Sequence, residues 1–457
     1  MGAGKSVQQD STTTAAGIAD FVAGLLGYEP RIVNVLNAAD ADPSNTLVNI
    51  YAGILCLLFE SPAGILRANH YLERAQRVHG VGTASNEAQA AGLLCAWVDE
   101  DIPAALEVAE RILRANPRDL VILKLHQYLN FNLGKPAELL RIALLVEPHN
   151  RGDAAFYGML AFAYEQCHLL ADAEAAARLA LALKGDEPWA QHALAHVTLT
   201  EGRIEEGVSF LERAQVGWSR LNSFMRTHLW WHLCLFYLSQ GREREILRLY
   251  DTQVWGIDKE YSQDQIGAVS LLARLEIAGV DVGSRWEDLG NHLAGRAEDT
   301  TLPFLSLQYL YGLARAGRSE ADRLLGAIVR KPKVVPDYSQ SVWRDITVPA
   351  AEGLLAHARR ADPKVTITRL GQALPGLIAI GGSHAQRDLF ELVWLDALLR
   401  DGRWTVAQHL LEQRRAADPG NVPVNRSLAA VYRHLKLPVQ AQQALHRAEC
   451  TAALRGL

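Results

Sequence analysis

Four of the chain's 15 histidines, His192, His196, His228 and His232, form two pairs spaced four residues apart. In a helix that spacing puts both rings of a pair on one face. Neutral imidazoles are metal ligands, so two such pairs offer four nitrogens. A histidine near its ordinary pKa also serves as general acid or base, and a carboxylate such as Glu165 would orient it. Charged rings would instead clamp an anion or a peptide carboxylate. Trp189, Trp230 and Trp231 beside them add apolar walls and stacking surface. The intervening residues, Ala193 and Leu194 in one pair and Leu229 and Trp230 in the other, lack the Glu of a metalloprotease helix. The metal and the cofactor therefore stay unassigned. The plain alternative is a set of satisfied polar residues in a helical core, which two matched pairs make less economical than a lone histidine would.

The elements that must position these residues are helices. A Gly followed by a cation recurs at Gly134, Gly202, Gly241, Gly317 and Gly402, with a further turn Gly at Gly279. From Gly202 the intervals are 39, 38 and 38 residues. Each Gly separates two apolar segments of helical period, where it would close a helix in the left-handed conformation. Two helices per period of this length are the mark of a helical solenoid. The expected pairs are 120–133 with 136–146, 153–168 with 172–183, 188–201 with 205–214, 222–240 with 244–254, 263–278 with 285–294 and 303–316 with 320–329. Pro117, Pro148 and Pro188 mark helix starts. Nothing alternates as a strand does, so no sheet is expected.

Residues 189–214 resemble a tetratricopeptide repeat, with Ala195 and Gly207 at its two close-packing positions relative to Gly202. Cys234 stands likewise before Gly241, and Ala161 in the preceding unit. Several stretches are similar to the tetratricopeptide repeat protein 38 family: Gly158 to Phe162, Trp189 to His196, Trp230 to Leu233, Ser270 to Gly279 and Gly381 to Asp388. This chain has Tyr157 and Gln308 near positions where that family tends to have His. The resemblance implies an all-α solenoid of antiparallel helix pairs in a right-handed superhelix, with first helices lining a concave groove. It places Trp189, His192, His196, His228, Trp231, His232 and Glu165 on that groove. First helices of adjacent repeats pack ~8–10 Å apart, so the two His pairs converge. The other implied groove positions (Ala155, Gly158, Phe162, Ile266, Val269, Phe304, Leu307) are small or apolar, which favours an enclosed pocket over a peptide track.

A second feature is Gly381-Gly382-Ser383-His384. Ser383 fits the N-cap of a helix starting near Ala385, whose free N–H groups suit an anion. A curled solenoid would bring His384 over the histidine cluster. His384, Arg387 and Asp388 are candidate ligand-binding residues, together with Gln308 and Tyr311. Arg274, Asp264, Asp345 and Tyr311 are otherwise expected at the surface or in caps. Residues 331–345, with two prolines, read as a loop able to bridge or cover the groove through Tyr338 and Trp343.

The net charge of −5 is spread evenly, and no basic stripe is present. That argues against nucleic acid. Five scattered cysteines indicate a reducing, cytoplasmic setting. The longest apolar run, 51–59, is too short to span a membrane. Length alone suggests three domains, but the Gly period indicates a flexible stretch at 1–15, a superhelix over 16–330, the loop, and closing repeats over 346–457. The function expected is a groove pocket for a small molecule, with acid–base or hydrolytic use of His192, His196, His228, His232 and Glu165. The alternative is a non-catalytic protein- or peptide-binding scaffold. Expected partners are a small molecule rather than a peptide, no nucleic acid and no membrane, with homo-oligomers admitted.

Overall fold

A computed structural model describes residues 3–78 and 86–453. Its described residues form helices and no strand, arranged as tetratricopeptide-like pairs. The six expected pairs are present, with boundaries within about two residues or closer for most elements. Leu120–Asn132 pairs with Pro136–Val146, Ala154–Gln166 with Leu170–Leu183, and Pro303–Arg315 with Glu320–Arg330. The chain divides into two compact units, Met1–Ala193 with Ser219–Met225, and Leu194–Trp218 with Arg226–Leu457.

In the first unit, aspartates start the helices. The carboxylates of Asp101, Asp119 and Asp153 accept from the backbone N–H groups of Ala104, Ile122 and Phe156 at 3.1, 3.0 and 2.9 Å. Each bond satisfies one of the N–H groups a helix start leaves open. Left-handed residues stop the helices. Glu100, Gly134 and His168, followed by Gly202 at the start of the second unit, have φ of 57°, 64°, 56° and 67°, and they follow one another at 34-residue intervals. That is the tetratricopeptide period. It is concealed in the sequence because Glu100 and His168 hold positions that Gly usually takes. The helix Ala3–Gly27 covers most of the stretch expected to be flexible, while residues 1 and 2 lie outside the described residues.

The second unit closes on itself. Small residues let its helices approach: a Cβ at Gly207 would come within 2.2 Å of the Phe236 ring. Its last repeats return to its first turns. A Cβ at Gly202 would lie 2.0 Å from the Ala417 carbonyl oxygen, Ser239 donates to Asp418, and Arg426 pairs with Glu243 at 2.6 Å. The stretch 331–345 is not a plain loop. It holds a 3-10 turn at Lys331–Lys333, a short helix at Asp337–Ser341 and a π turn at Val342–Thr347 that runs directly into Val348–Ala358. Pro332 and Pro336 stand at the starts of these turns, where proline costs no hydrogen bond. Trp343 is buried, whereas Tyr338 is exposed. Among the described residues no helix is long and apolar enough to cross a membrane.

His126 sits in the core of the first unit, 2% exposed, with Asn130 Nδ2 at 3.2 Å from its Nδ1. Burial pushes its imidazole down to about 4; Arg141 adds to this, and Glu110 and Glu138 oppose it. The folded pKa lies below the unfolded one, so the unfolded chain binds the extra proton between pH ~6.5 and ~4. Stability is complete above that window and falls as pH drops through it, by up to ~3 kcal/mol. We expect His126→Gln to flatten this acid limb, measured as the difference in urea midpoint between pH 7 and pH 5.

Candidate functional site

Seven helices frame the candidate residues: α1, Pro188–Thr200; α2, Ser223–Ser239; α3, Ser262–Ile277; α4, Pro303–Arg315; α5, Val348–Ala358; α6, His384–Arg400; and α7, Trp404–Ala417. His196 on α1, His228 and His232 on α2, and His384 at the start of α6 all belong to the second unit, and the fold brings their rings together. The centroids of His196 and His232 are 4.6 Å apart, those of His228 and His232 4.7 Å, and those of His196 and His384 5.3 Å. The Nε2 atoms of His228 and His232 stand 3.3 Å apart. Trp231 stacks on His228 at 5.3 Å and meets His232 edge-on at 4.8 Å. His196 and His232 have no exposed surface, and His228 is half-buried. Burial pushes the His228 imidazole down to about 3, and the nearby His196 adds to that. His228 therefore stays neutral across the physiological range.

The helix carrying His384 is fixed over α3 by charge. Arg274, 4% exposed, donates from Nη1 to Asp388 Oδ2 at 2.8 Å and from Nη2 to the Ala385 carbonyl at 2.7 Å. Its guanidinium also lies 5.8 Å from the centre of the Trp231 ring, within cation–π range. Arg414 on α7 reaches the other Asp388 oxygen at 2.6 Å. Burial alone would raise the Asp388 carboxyl; Arg414 and Arg274 overcome it and hold the carboxyl well below the usual range. The start of α6 is a capping box: Gln386 N–H donates to Ser383 Oγ at 3.3 Å, and Ser383 N–H to Gln386 Oε1 at 2.9 Å. Arg387 donates to the Gly382 carbonyl within the same turn. Gly382 has φ of 75°, and a Cβ there would stand 2.8 Å from the Phe304 ring. Thr200 Oγ1 is 3.1 Å from His384 Nε2.

Glu165, Trp189 and His192 belong to the first unit. His192 is one turn before His196 on α1. Trp189 stacks on His192 at 4.4 Å and on Tyr28 at 5.3 Å, with Phe162 against both Trp189 and His192. Lys124 Nζ lies 3.8 Å from the Tyr28 ring centre. Burial pushes Lys124 down and Glu187 up, and their mutual attraction opposes both shifts. Glu165 is fully buried and accepts from Gln166 Nε2 at 2.6 Å.

Gln308 and Tyr311 are both buried on α4. Tyr311 meets His357 of α5 through its hydroxyl, 3.1 Å from Nδ1, and His357 Nε2 is 2.9 Å from Asp396 of α6. This chain of bonds ties three helices. His357 and Asp396 carried no sequence signal, since their spacing in the chain has no local meaning. Arg274, Asp264 and Tyr311, expected at the surface or in caps, are corrected: all three are almost fully buried, and Asp264 accepts from Thr227 at 3.0 Å. Each is buried because a polar partner on another helix satisfies it. Asp345 is exposed and paired with Arg344 at 2.8 Å, as expected.

No protein-family model matches the chain. Among solved structures, it is similar to the human IFIT1 dimer with PPP-AAAA, at 14% identity over 92% of this chain and 93% of that one, with a TM-score of 0.41. An IFIT1 monomeric mutant with Gppp-AAAA aligns at 13% identity over 88% and 90%, TM-score 0.39. Naa15/Naa10 bound to HypK-THB aligns at 12% over 96% and 68%, TM-score 0.25. At these identities the likeness concerns the helical-repeat fold. The expectations of a small-molecule ligand and of no nucleic-acid partner are corrected by these neighbours. The solved chains matched over most of this one are described with oligonucleotide or protein partners.

Removing Asp388 would strand the buried Arg274 charge, and breaking one partner of a buried pair costs ~3–5 kcal/mol. The Ala385 carbonyl still accepts from Arg274, while the like charge of Arg414 gives it no support, so we expect Asp388→Ala to cost ~3 kcal/mol in urea unfolding. Adding Arg274→Met should recover most of that loss, because the charge leaves with its partner.

Proposed function

We propose that the chain is a non-catalytic helical-repeat scaffold that binds a protein or peptide partner. The observation that carries this reading is the contrast between its interior and its surface. The imidazoles suited to chemistry are enclosed, with His196 and His232 at 0% exposure, so a substrate has no direct approach to them. The outer helices of the first unit instead present apolar side chains to solvent. Leu144 and Leu145 on Pro136–Val146, and Leu179 and Leu183 on Leu170–Leu183, are between 39% and 46% exposed. Ala175, Leu179 and Leu183 succeed one another at four-residue spacing and are all exposed, which makes an apolar stripe suited to the apolar face of a partner helix. In this reading His192, His196, His228, His232 and Glu165 serve the interior rather than turnover.

We also place the chain in the tetratricopeptide repeat protein 38 family, on the stretches around Gly158, Trp189, Trp230, Ser270 and Gly381. A cytoplasmic setting fits its five free cysteines.

Selection of a displayed library of helical peptides on the full chain tests the scaffold reading. Enriched peptides should bind the wild type and lose at least about tenfold in affinity to Leu179→Glu/Leu183→Glu. Exposed substitutions of this kind change stability by only ~0.5 kcal/mol. Equal binding to that variant, or no enrichment over an unrelated helical protein, would contradict the reading.

A further inference from the structure

We infer that His196, His228 and His232 form a binding site for one divalent transition-metal ion of the zinc class, with His384 beside it for the fourth position. This is independent of the scaffold reading.

Three donors come from two helices, α1 and α2, and His384 from α6, all in one unit. A ring nitrogen from each of His196, His228 and His232 lies within 4.8 Å of the others. A nitrogen of His384 lies within 4.8 Å of one on His196. Four nitrogens bound tetrahedrally at about 2.0–2.1 Å stand ~3.3 Å from one another. The Nε2 atoms of His228 and His232 are already 3.3 Å apart, so this i,i+4 pair has the bite of a chelate. Whatever gap remains to His196, at most about 1.5 Å, closes through imidazole rotation, since χ2 of histidine is a broad torsion.

The surroundings suit an ion of this class. Imidazole is the ligand common to zinc, copper and nickel, and no thiolate stands in the donor set to select a softer ion. Zinc imposes no geometry of its own and accepts what the helices provide. Trp231 covers the His228 ring and abuts that of His232, and it limits their rotation. Thr200 Oγ1 lies 3.1 Å from His384 Nε2, the kind of outer bond that orients a metal-binding imidazole through its other nitrogen. A bound ion would tie α1 to α2, and through His384 to α6, making it a structural clamp. The partial exposure of His228 leaves an entry path for an ion.

The test uses the full chain stripped by a chelator, with zinc and cobalt(II) as probes. We expect one equivalent of zinc in competition with a chromogenic chelator, and a rise in melting temperature on adding it. Cobalt(II) should give the intense visible bands of a tetrahedral site. His232→Gln should weaken zinc binding more than ~100-fold, beyond the cost of an outer-shell change, while His409→Gln on the surface leaves it unchanged. If His232→Gln does not fold, His228→Gln, at a partly exposed position, is measured in its place with the same expectation. No stoichiometric zinc, or equal affinity in the histidine variants and the wild type, would overturn the site.

Discussion

A guanidinium leaves water only where carboxylates and carbonyls replace its hydration. Arg274 meets that condition through Asp388 and the Ala385 carbonyl, both contributed by α6. The position of α6 follows from it. The first turn of that helix must lie over α3, and His384 must then face Thr200 and His196 of α1. Any arrangement that moved α6 away would leave Arg274 buried and unpaired or would require hydrating it.

The remaining features are consistent with that placement. Gly381 and Gly382 both take positive φ, which turns the chain sharply enough to start a helix at once. Ser383 and Gln386 close the capping box, and the absence of a side chain at Gly382 admits the Phe304 ring. The His357–Asp396 contact fixes the helix further along, against α5. A helix held by charge, by a cap and by a buried hydrogen bond is placed with little freedom. The histidines beneath it are enclosed as a consequence, and such an interior is better suited to holding a shape, or an ion, than to admitting a substrate.

Much of this was legible in the chain. Gly202, Gly241, Gly279 and Gly317 announced the helix pairs, and each adopts the positive φ expected of it. The i,i+4 histidines were correctly read as helical faces, and Ser383 as a cap. What escaped reading has physical causes. His168 and Glu100 end helices in a conformation that residue type does not advertise, so the 34-residue period was hidden. Lys436, with φ of 59° and 34 residues after Gly402, repeats the case. Prolines 332 and 336 looked like breakers because proline at a helix start and proline in a loop share one sequence signal. Arg274 looked like a surface residue since its partners lie 111 and 114 residues away. Nothing local distinguishes a buried Arg from an exposed one. Thr200 and His384, 184 residues apart, meet for the same reason unseen.

The enclosure of the histidines by α6 is the claim on which the rest depends, and acylation of histidine by diethyl pyrocarbonate, read peptide by peptide, measures it directly. His409 and His446 are exposed and serve as internal references. His196 and His232 should react far more slowly than these two in the native chain and become as reactive in urea. Native reaction of His196 and His232 at the rate of His409 would contradict the account.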